Sequence, residues 1–149
     1  MYKYTKLKMK KVKRYSGVLV KNKNKVLLCK RNNYGSHPGA WSVPAGKLND
    51  DESPASGAKR EFQEETNLTL ENNLKLCGFV TRKTRDNLND KGLMYVFLYQ
   101  TDEILNPDLN NAKDGDEHTE CGYFSLNELP LKDEKDQLFI LIKNILLKN

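Results

Sequence analysis

Between Gly46 and Leu68 the chain reads GKLNDDESPASGAKREFQEETNL, and six acids (Asp50, Asp51, Glu52, Glu61, Glu64, Glu65) stand there against three basic residues. On a helix, at about 100° per residue, Glu61, Glu64 and Glu65 occupy positions i, i+3 and i+4 and crowd one arc of the surface. Like charges at these spacings cost a bare helix a few tenths of a kcal/mol per pair, and the cost reverses when a hard divalent cation sits among them. Mg²⁺ is the natural choice, with Mn²⁺ a possible substitute, because it takes oxygen ligands, keeps some of its waters and bridges to phosphates. The alternative is a solvated acidic helix in which Arg60 and Glu64 pair weakly across one turn.

The elements that must position these acids follow from the pattern. Ser53 followed by Pro54 is a helix entry, since serine caps free amides and proline fits the first turn, and Asn67 suits a left-handed stop. A helix is predicted over 54–66, its apolar face of Ala55, Ala58 and Phe62 lying beside the acidic arc. Segments 16–20 and 25–31, separated by the polar KNKN of residues 21–24, read as a hairpin. Residues 41–46, broken by Pro44 and Gly46, read as a short extended piece, and 74–80, 92–101 and 121–126 as further strands. The polar run 101–120 reads as a long loop. A second helix is expected over 133–148, where eight of the eleven residues from Leu138 to Lys148 are apolar. That stripe is wide enough to pack deeply on a sheet or to serve partly as a dimer contact, so monomer and homodimer both stay open.

From Gly46 the spacing is G, five residues, E, seven residues, then R-E-F-Q-E-E-T-N-L, which resembles the Nudix box G-x5-E-x7-R-E-U-x-E-E-x-G-U at every position but one, Asn67 standing for the last glycine. The lead-in WSVPAG resembles the family's W-x-x-P-G-G with Ala45 for the first glycine. EHTECGYFSLNELP (117–130) resembles E-H-x-E-x-x-W-F-x-x-x-E-L with Tyr123 at the tryptophan. The resemblance implies an α/β (α+β) fold, an α/β/α sandwich with a mixed β-sheet, and Mg²⁺-dependent hydrolysis of a nucleoside diphosphate linked to another group. It implies that Glu64 and Glu65 ligate the metal, with Glu61 a third ligand or the catalytic base and the carbonyl of Ala45 a further oxygen. Arg60 and Glu52, with Gly46, hold the box in place. A further acid comes from 115–120, Glu117 or Glu120 as outer ligand or base, with Glu120 preferred. Arg31, Lys47 and Lys30 are candidate phosphate contacts, and Tyr34, Trp41 and Tyr123 candidate stacking surfaces for a base. His37 and His118 lack ligand spacing and read as loop residues.

The chain has 149 residues, 38% hydrophobic and 30% charged, which suits a single folded domain. No apolar stretch approaches the roughly 18–20 residues of a membrane-spanning helix, and none behind the basic N-terminus has the length of a signal-peptide core. The three cysteines, Cys29, Cys77 and Cys121, are widely spaced and odd in number, so they read as packing thiols in a reducing, cytoplasmic setting. The net charge of +5 is concentrated at one end: residues 1–14 carry seven Lys or Arg and no acid. Residues 1–13 are therefore read as a basic arm leading into the first strand, and 14–149 as the domain. The partner expected is a small nucleotide. The arm leaves RNA as a less favoured substrate, such as a capped 5′ end. A non-catalytic nucleotide-sensing module is a further alternative, against which the intact acids argue. Dinucleoside polyphosphates also fall within what the resemblance allows.

Overall fold

The structure is a computed structural model that describes residues 12–35, 37–83, 91–131 and 133–148. Its seven strands are β1 (Lys13–Asn22), β2 (Lys25–Arg31), β3 (Trp41–Ser42), β4 (Ala45–Lys47), β5 (Lys75–Lys83), β6 (Lys91–Gln100) and β7 (His118–Phe124), with helices α1 (Pro54–Thr66) and α2 (Gln137–Leu147). Most of the predicted arm, residues 1–11, lies outside the described residues, and Lys13 is already the first residue of β1.

One mixed sheet carries all seven strands. β1 runs parallel to β6 over nine register pairs, and the other pairings are antiparallel. β1 and β2 pair only beside their turn, at Lys21 with Val26 and Asn22 with Lys25. Beyond that point they part, and the segment 41–47 fills the split: Trp41 and Ser42 pair with β2, and Ala45–Lys47 with β1. Pro44 lies at the step, where its carbonyl accepts from Val18 N at 3.1 Å. A proline there removes a ladder donor and so breaks the predicted single strand into two.

Alternation along β1 and β2 gives the sheet two apolar faces. Leu19, Val26, Leu28, Val80 and Val96 meet Leu138 and Ile142 of α2, whereas Val18, Val20, Leu27 and Phe97 meet Ala58 and Phe62 of α1. Burying a side chain of the size of Phe62 or Leu138, both fully enclosed, contributes roughly 1.5–3 kcal/mol. The result is the α/β/α sandwich with a mixed sheet. The broad stripe of α2 is largely used on the sheet, since Leu141, Ile145 and Leu146 also pack there, while Ile140 and Leu147 stay exposed.

The first helix has the predicted limits. Ser53 accepts from Ser56 N at 3.2 Å, Pro54 opens the first turn and Asn67 closes the helix at φ 62°. The second starts four residues later than predicted, because Asp136 takes the capping position and accepts from Leu138 N at 2.8 Å. Residues 118–120, assigned to a loop by their polarity, are the start of β7.

Candidate active site

Helix α1 lies close over the sheet. Gly57 leaves room for the side chains of Leu48 and Glu52, and Ser16 Oγ donates to the Pro54 carbonyl at 2.6 Å. From this seat the helix presents Arg60, Glu61, Glu64 and Glu65 toward β4 and the segment before β7.

Arg60 organises the group. Its Nε and Nη2 clasp the two oxygens of Glu52 at 2.7 and 2.8 Å, and Nη2 also donates to the Lys47 carbonyl at 3.1 Å. Its Nη1 donates to Glu61 at 2.9 Å and to Glu64 at 3.0 Å. The Arg60 bond holds the Glu52 carboxyl below its ordinary range and, with Glu61, raises the guanidinium further above neutrality. Glu52 also accepts from Asn49 N, which fixes the loop ahead of α1.

The Glu61 carboxyl lies against the backbone of Gly46, at a spot that any Cβ would fill. Its pKa is raised, first by burial and then by the charges of Glu64 and Glu117, with Arg60 opposing. Glu65 falls in line with Ala58 and Phe62 on the buried side of the helix and is completely enclosed. Neither of its oxygens meets a hydrogen-bond donor. Burial, then the Glu117 carboxyl and then Glu61 push its pKa up to about 10, with Arg31 opposing. Glu117 faces it as a second carboxyl, and two such groups can bond only by sharing a proton. Glu64 accepts from Lys113 at 3.5 Å through its side chain and from Asp114 N at 2.7 Å through its carbonyl.

The two candidate acids near β7 are separated by a register shift. β7 pairs with β2 as Cys29 with Cys121 and Lys30 with Glu120, but Arg31 pairs with His118, so one residue is extra. Cys121 and Tyr123 pack toward α1, and Glu120 between them and the shift stands on the opposite face. The structure thus does not bring the expected Glu120 to the carboxylates. Glu117, at the end of a short 3₁₀ turn (Gly115–Glu117), is the acid whose charge reaches Glu61 and Glu65. Asn32 holds that turn, its backbone N donating to the Glu117 carbonyl at 2.9 Å and its Nδ2 to that of Asp116 at 2.7 Å. Neither Asn32 nor Lys113 was singled out by spacing, and only the fold shows their place.

Of the expected substrate contacts, Arg31 is near enough for its charge to act on Glu65 and His118, and Lys47 is exposed beside Gly46. Tyr34 is 87% exposed. Trp41 and Tyr123 have other work. Trp41 stands edge-on to Phe124 with ring centroids 5.1 Å apart, and the Tyr123 hydroxyl donates to the Leu105 carbonyl and accepts from its N–H, both at 2.9 Å. His37 is exposed at φ 51°. His118 is buried at 5% exposure, not a loop residue, with Nδ1 unpartnered and its pKa lowered to about 4 by burial and then by Arg31.

The cysteine reading is corrected. Cys29 and Cys121 oppose each other directly across β2 and β7 and form a disulfide over a sequence separation of 92, leaving Cys77 as the free thiol. Wide spacing in sequence hid a pair that strand register brings together.

The NUDIX domain family model matches residues 11–143. Nudix hydrolase 25 of Arabidopsis thaliana is 46% identical over 48 residues, a match that takes in 32% of this chain and only 26% of that protein. Among solved structures, a MutT NUDIX hydrolase from Burkholderia pseudomallei superposes with a TM-score of 0.73 at 22% identity, covering 91% of this chain and 98% of that one. A MutT protein from Methanosarcina mazei Go1 gives 0.70 at 24% identity over 91% and 94% of the two chains. A C. elegans Ap4A hydrolase gives 0.66 at 17% identity over 90% and 95%. A mixed sheet between two helices is the fold this chain shares with these structures. The chain belongs to the Nudix family.

No helix among the described residues is long and apolar enough to cross a membrane.

Proposed function

We propose that the chain hydrolyses a diphosphate bond in a nucleoside diphosphate linked to a further group, using a divalent cation held at α1. The observation that carries this reading is Glu65, an enclosed carboxyl with no donor to either oxygen, beside Glu61 and Glu117. Burying such a group without a partner is costly, and a hard cation with oxygen ligands relieves the cost. Among the described residues no three His, Cys, Asp or Glu side chains are already gathered into a cage, because Arg60 occupies Glu61 and Glu64. The donor set nevertheless fits Mg²⁺ or Mn²⁺: Glu64 and Glu65 as ligands, with Glu61, Glu117 and the Ala45 carbonyl within the same region of the fold.

When bound, the cation supplies charge neutralisation on the phosphates and lowers the pKa of water. The protein groups do the rest. Glu61, its side chain largely enclosed and its pKa raised, is suited to take the proton of the attacking water. Arg60 holds Glu61 and Glu64 on one nitrogen and ties itself to Glu52. Arg31 and Lys47 are the cations assigned to donate to substrate phosphates. Gly46 leaves the Glu61 carboxyl its place against β4.

The test is release of nucleoside monophosphate from nucleoside triphosphates, dinucleoside polyphosphates, nucleotide sugars and capped RNA, with Mg²⁺ or EDTA. Turnover that requires the cation and falls by about 10²–10⁴-fold in Glu61→Gln is expected. Nucleotide binding without turnover on any substrate would instead favour a sensor.

A further inference from the structure

Glu117 stands on a turn that the fold holds from two sides. On the helix side Asp114 N donates to the Glu64 carbonyl at 2.7 Å, and Gly115 sits so close on the Leu109 carbonyl that no Cβ would fit there. On the other side is Asn32, the residue after β2, whose backbone N donates to the Glu117 carbonyl at 2.9 Å and whose Nδ2 donates to that of Asp116 at 2.7 Å. These bonds work against a repulsion, because the Glu61 and Glu65 carboxyls act on Glu117 as groups of like charge.

The other half of the same amide serves its own loop. Oδ1 accepts from Tyr34 N at 3.0 Å and from Gly35 N at 3.1 Å, a local turn of the kind asparagine favours. The loop closes back on the end of β2, where Arg31 N donates to the Ala40 carbonyl at 2.8 Å and Gly39 N to the Arg31 carbonyl at 3.2 Å. The partners decide which way the amide lies. Two N–H groups can only donate, so they meet its oxygen, and the Asp116 carbonyl can only accept, so it meets the nitrogen. Asparagine fills both needs with one short side chain. Aspartate keeps the acceptor and loses the donor, and alanine has neither.

We propose that Asn32 is a positioning residue for the hydrolysis: it clamps the loop after β2 to the Gly115–Glu117 turn and so keeps the Glu117 carboxyl among the acids that hold the divalent cation. Asn32 acts through the place of Glu117 and not by contact with the reacting atoms. The assignment rests on the hydrolase reading above and adds to it a residue that lies outside the box and far from Glu117 in sequence. It makes the donor Nδ2, rather than the turn-forming Oδ1, the atom on which activity depends.

The experiment compares the full chain with Asn32→Ala, Asn32→Asp, Glu117→Gln and the double variant Asn32→Ala with Glu117→Gln. It reads kcat and KM with Mg²⁺ on the nucleotide that the panel above shows to be turned over fastest, Mn²⁺ binding without nucleotide by electron paramagnetic resonance, and Tm. Both Asn32 variants are expected to lower kcat and to weaken Mn²⁺ binding by about 10–100-fold, the range for residues that orient metal ligands, while KM changes much less. Asn32→Asp is the decisive variant, because it keeps the loop turn and so its Tm, and because an added negative charge alone would tighten a cation. In the Glu117→Gln background Asn32→Ala is expected to cost less than about twofold more, since both changes act through one carboxyl. Asn32→Asp with the kcat and Mn²⁺ affinity of the wild type overturns the proposal, as does an Asn32→Ala loss of undiminished size in the Glu117→Gln background. Failure of the hydrolase reading looks different. A wild type that binds Mn²⁺ but turns over no nucleotide ends that reading, and the Mn²⁺ affinities of the variants then decide whether Asn32 positions Glu117. A wild type that does neither overturns both.

Discussion

Arg60 and Glu52 form a two-pronged ion pair at 2.7 and 2.8 Å that ties the middle of α1 to the loop before it. The same guanidinium also bonds Glu61 and Glu64, so its loss leaves three carboxylates without their shared donor. Arg60→Ala is expected to lower kcat by about 10–100-fold, the usual range for a residue that orients metal ligands. Arg60→Lys is expected not to restore it, because an ammonium lacks the planar fork that meets both Glu52 oxygens. Steady-state kinetics on the preferred substrate decides this, and lysine rescue would show that charge alone suffices.

Gly46 and Glu61 make a second test. A methyl group at Gly46 would occupy the volume of the Glu61 carboxyl, which is the free end of a flexible side chain and can turn away. Gly46→Ala is therefore expected to keep its Tm within a few degrees while activity falls by at least about tenfold. A folded variant with full activity would mean that Glu61 works equally well elsewhere.

Helix α1 was legible in the sequence because local chemistry sets both its ends: Ser53 and Pro54 at the start, Asn67 at the stop. The acidic arc was legible for the same reason, since helical spacing alone brings Glu61, Glu64 and Glu65 together. What depended on long-range register was not. The extra residue opposite Arg31 decides that Glu117, not Glu120, reaches the carboxylates, and nothing near Glu120 in sequence announces it. The pairing of Cys29 with Cys121 and the use of Tyr123 as an anchor for Leu105 likewise arise only when distant strands meet.

Glu65 gives the protein a pH dependence with a definite sign. Its pKa rises from 4.5 to about 10 on folding, so without metal the folded state holds a proton that the unfolded state releases. This stabilisation relative to the unfolded chain is complete below pH 4.5 and is lost as pH rises toward 10. The Tm of the EDTA-treated protein is expected to decline across that window, and Glu65→Gln to flatten the decline. Mg²⁺ is expected to raise Tm more at pH 9 than at pH 6, because the cation competes with that proton. A Tm profile that is the same in wild type and Glu65→Gln would show that Glu65 is already ionised.

The disulfide makes a chemical prediction. Cys29 is completely enclosed and its partner Cys121 lies directly opposite, so thiol titration of the protein denatured without reductant is expected to find one thiol, Cys77, and three after reduction. Cys121→Ser is expected to leave two. Three thiols before reduction would mean that the two cysteines pack side by side unbonded.

Tyr123 closes the argument from β7 back to the site. Its hydroxyl makes both hydrogen bonds to the main chain of Leu105, and the segment that follows carries Lys113 and Glu117. Removing the hydroxyl in Tyr123→Phe leaves a backbone donor and acceptor unpaired, at a cost of about 1–3 kcal/mol. Since Asp108, Asp114 and Asn32 still hold the segment, the fold is expected to survive with a lower Tm, and KM to rise more than kcat falls. Hydrogen exchange at the Leu105 amide reports the loosened anchor directly. Unchanged protection there, with unchanged KM, would show that Tyr123 holds nothing that the other three residues do not.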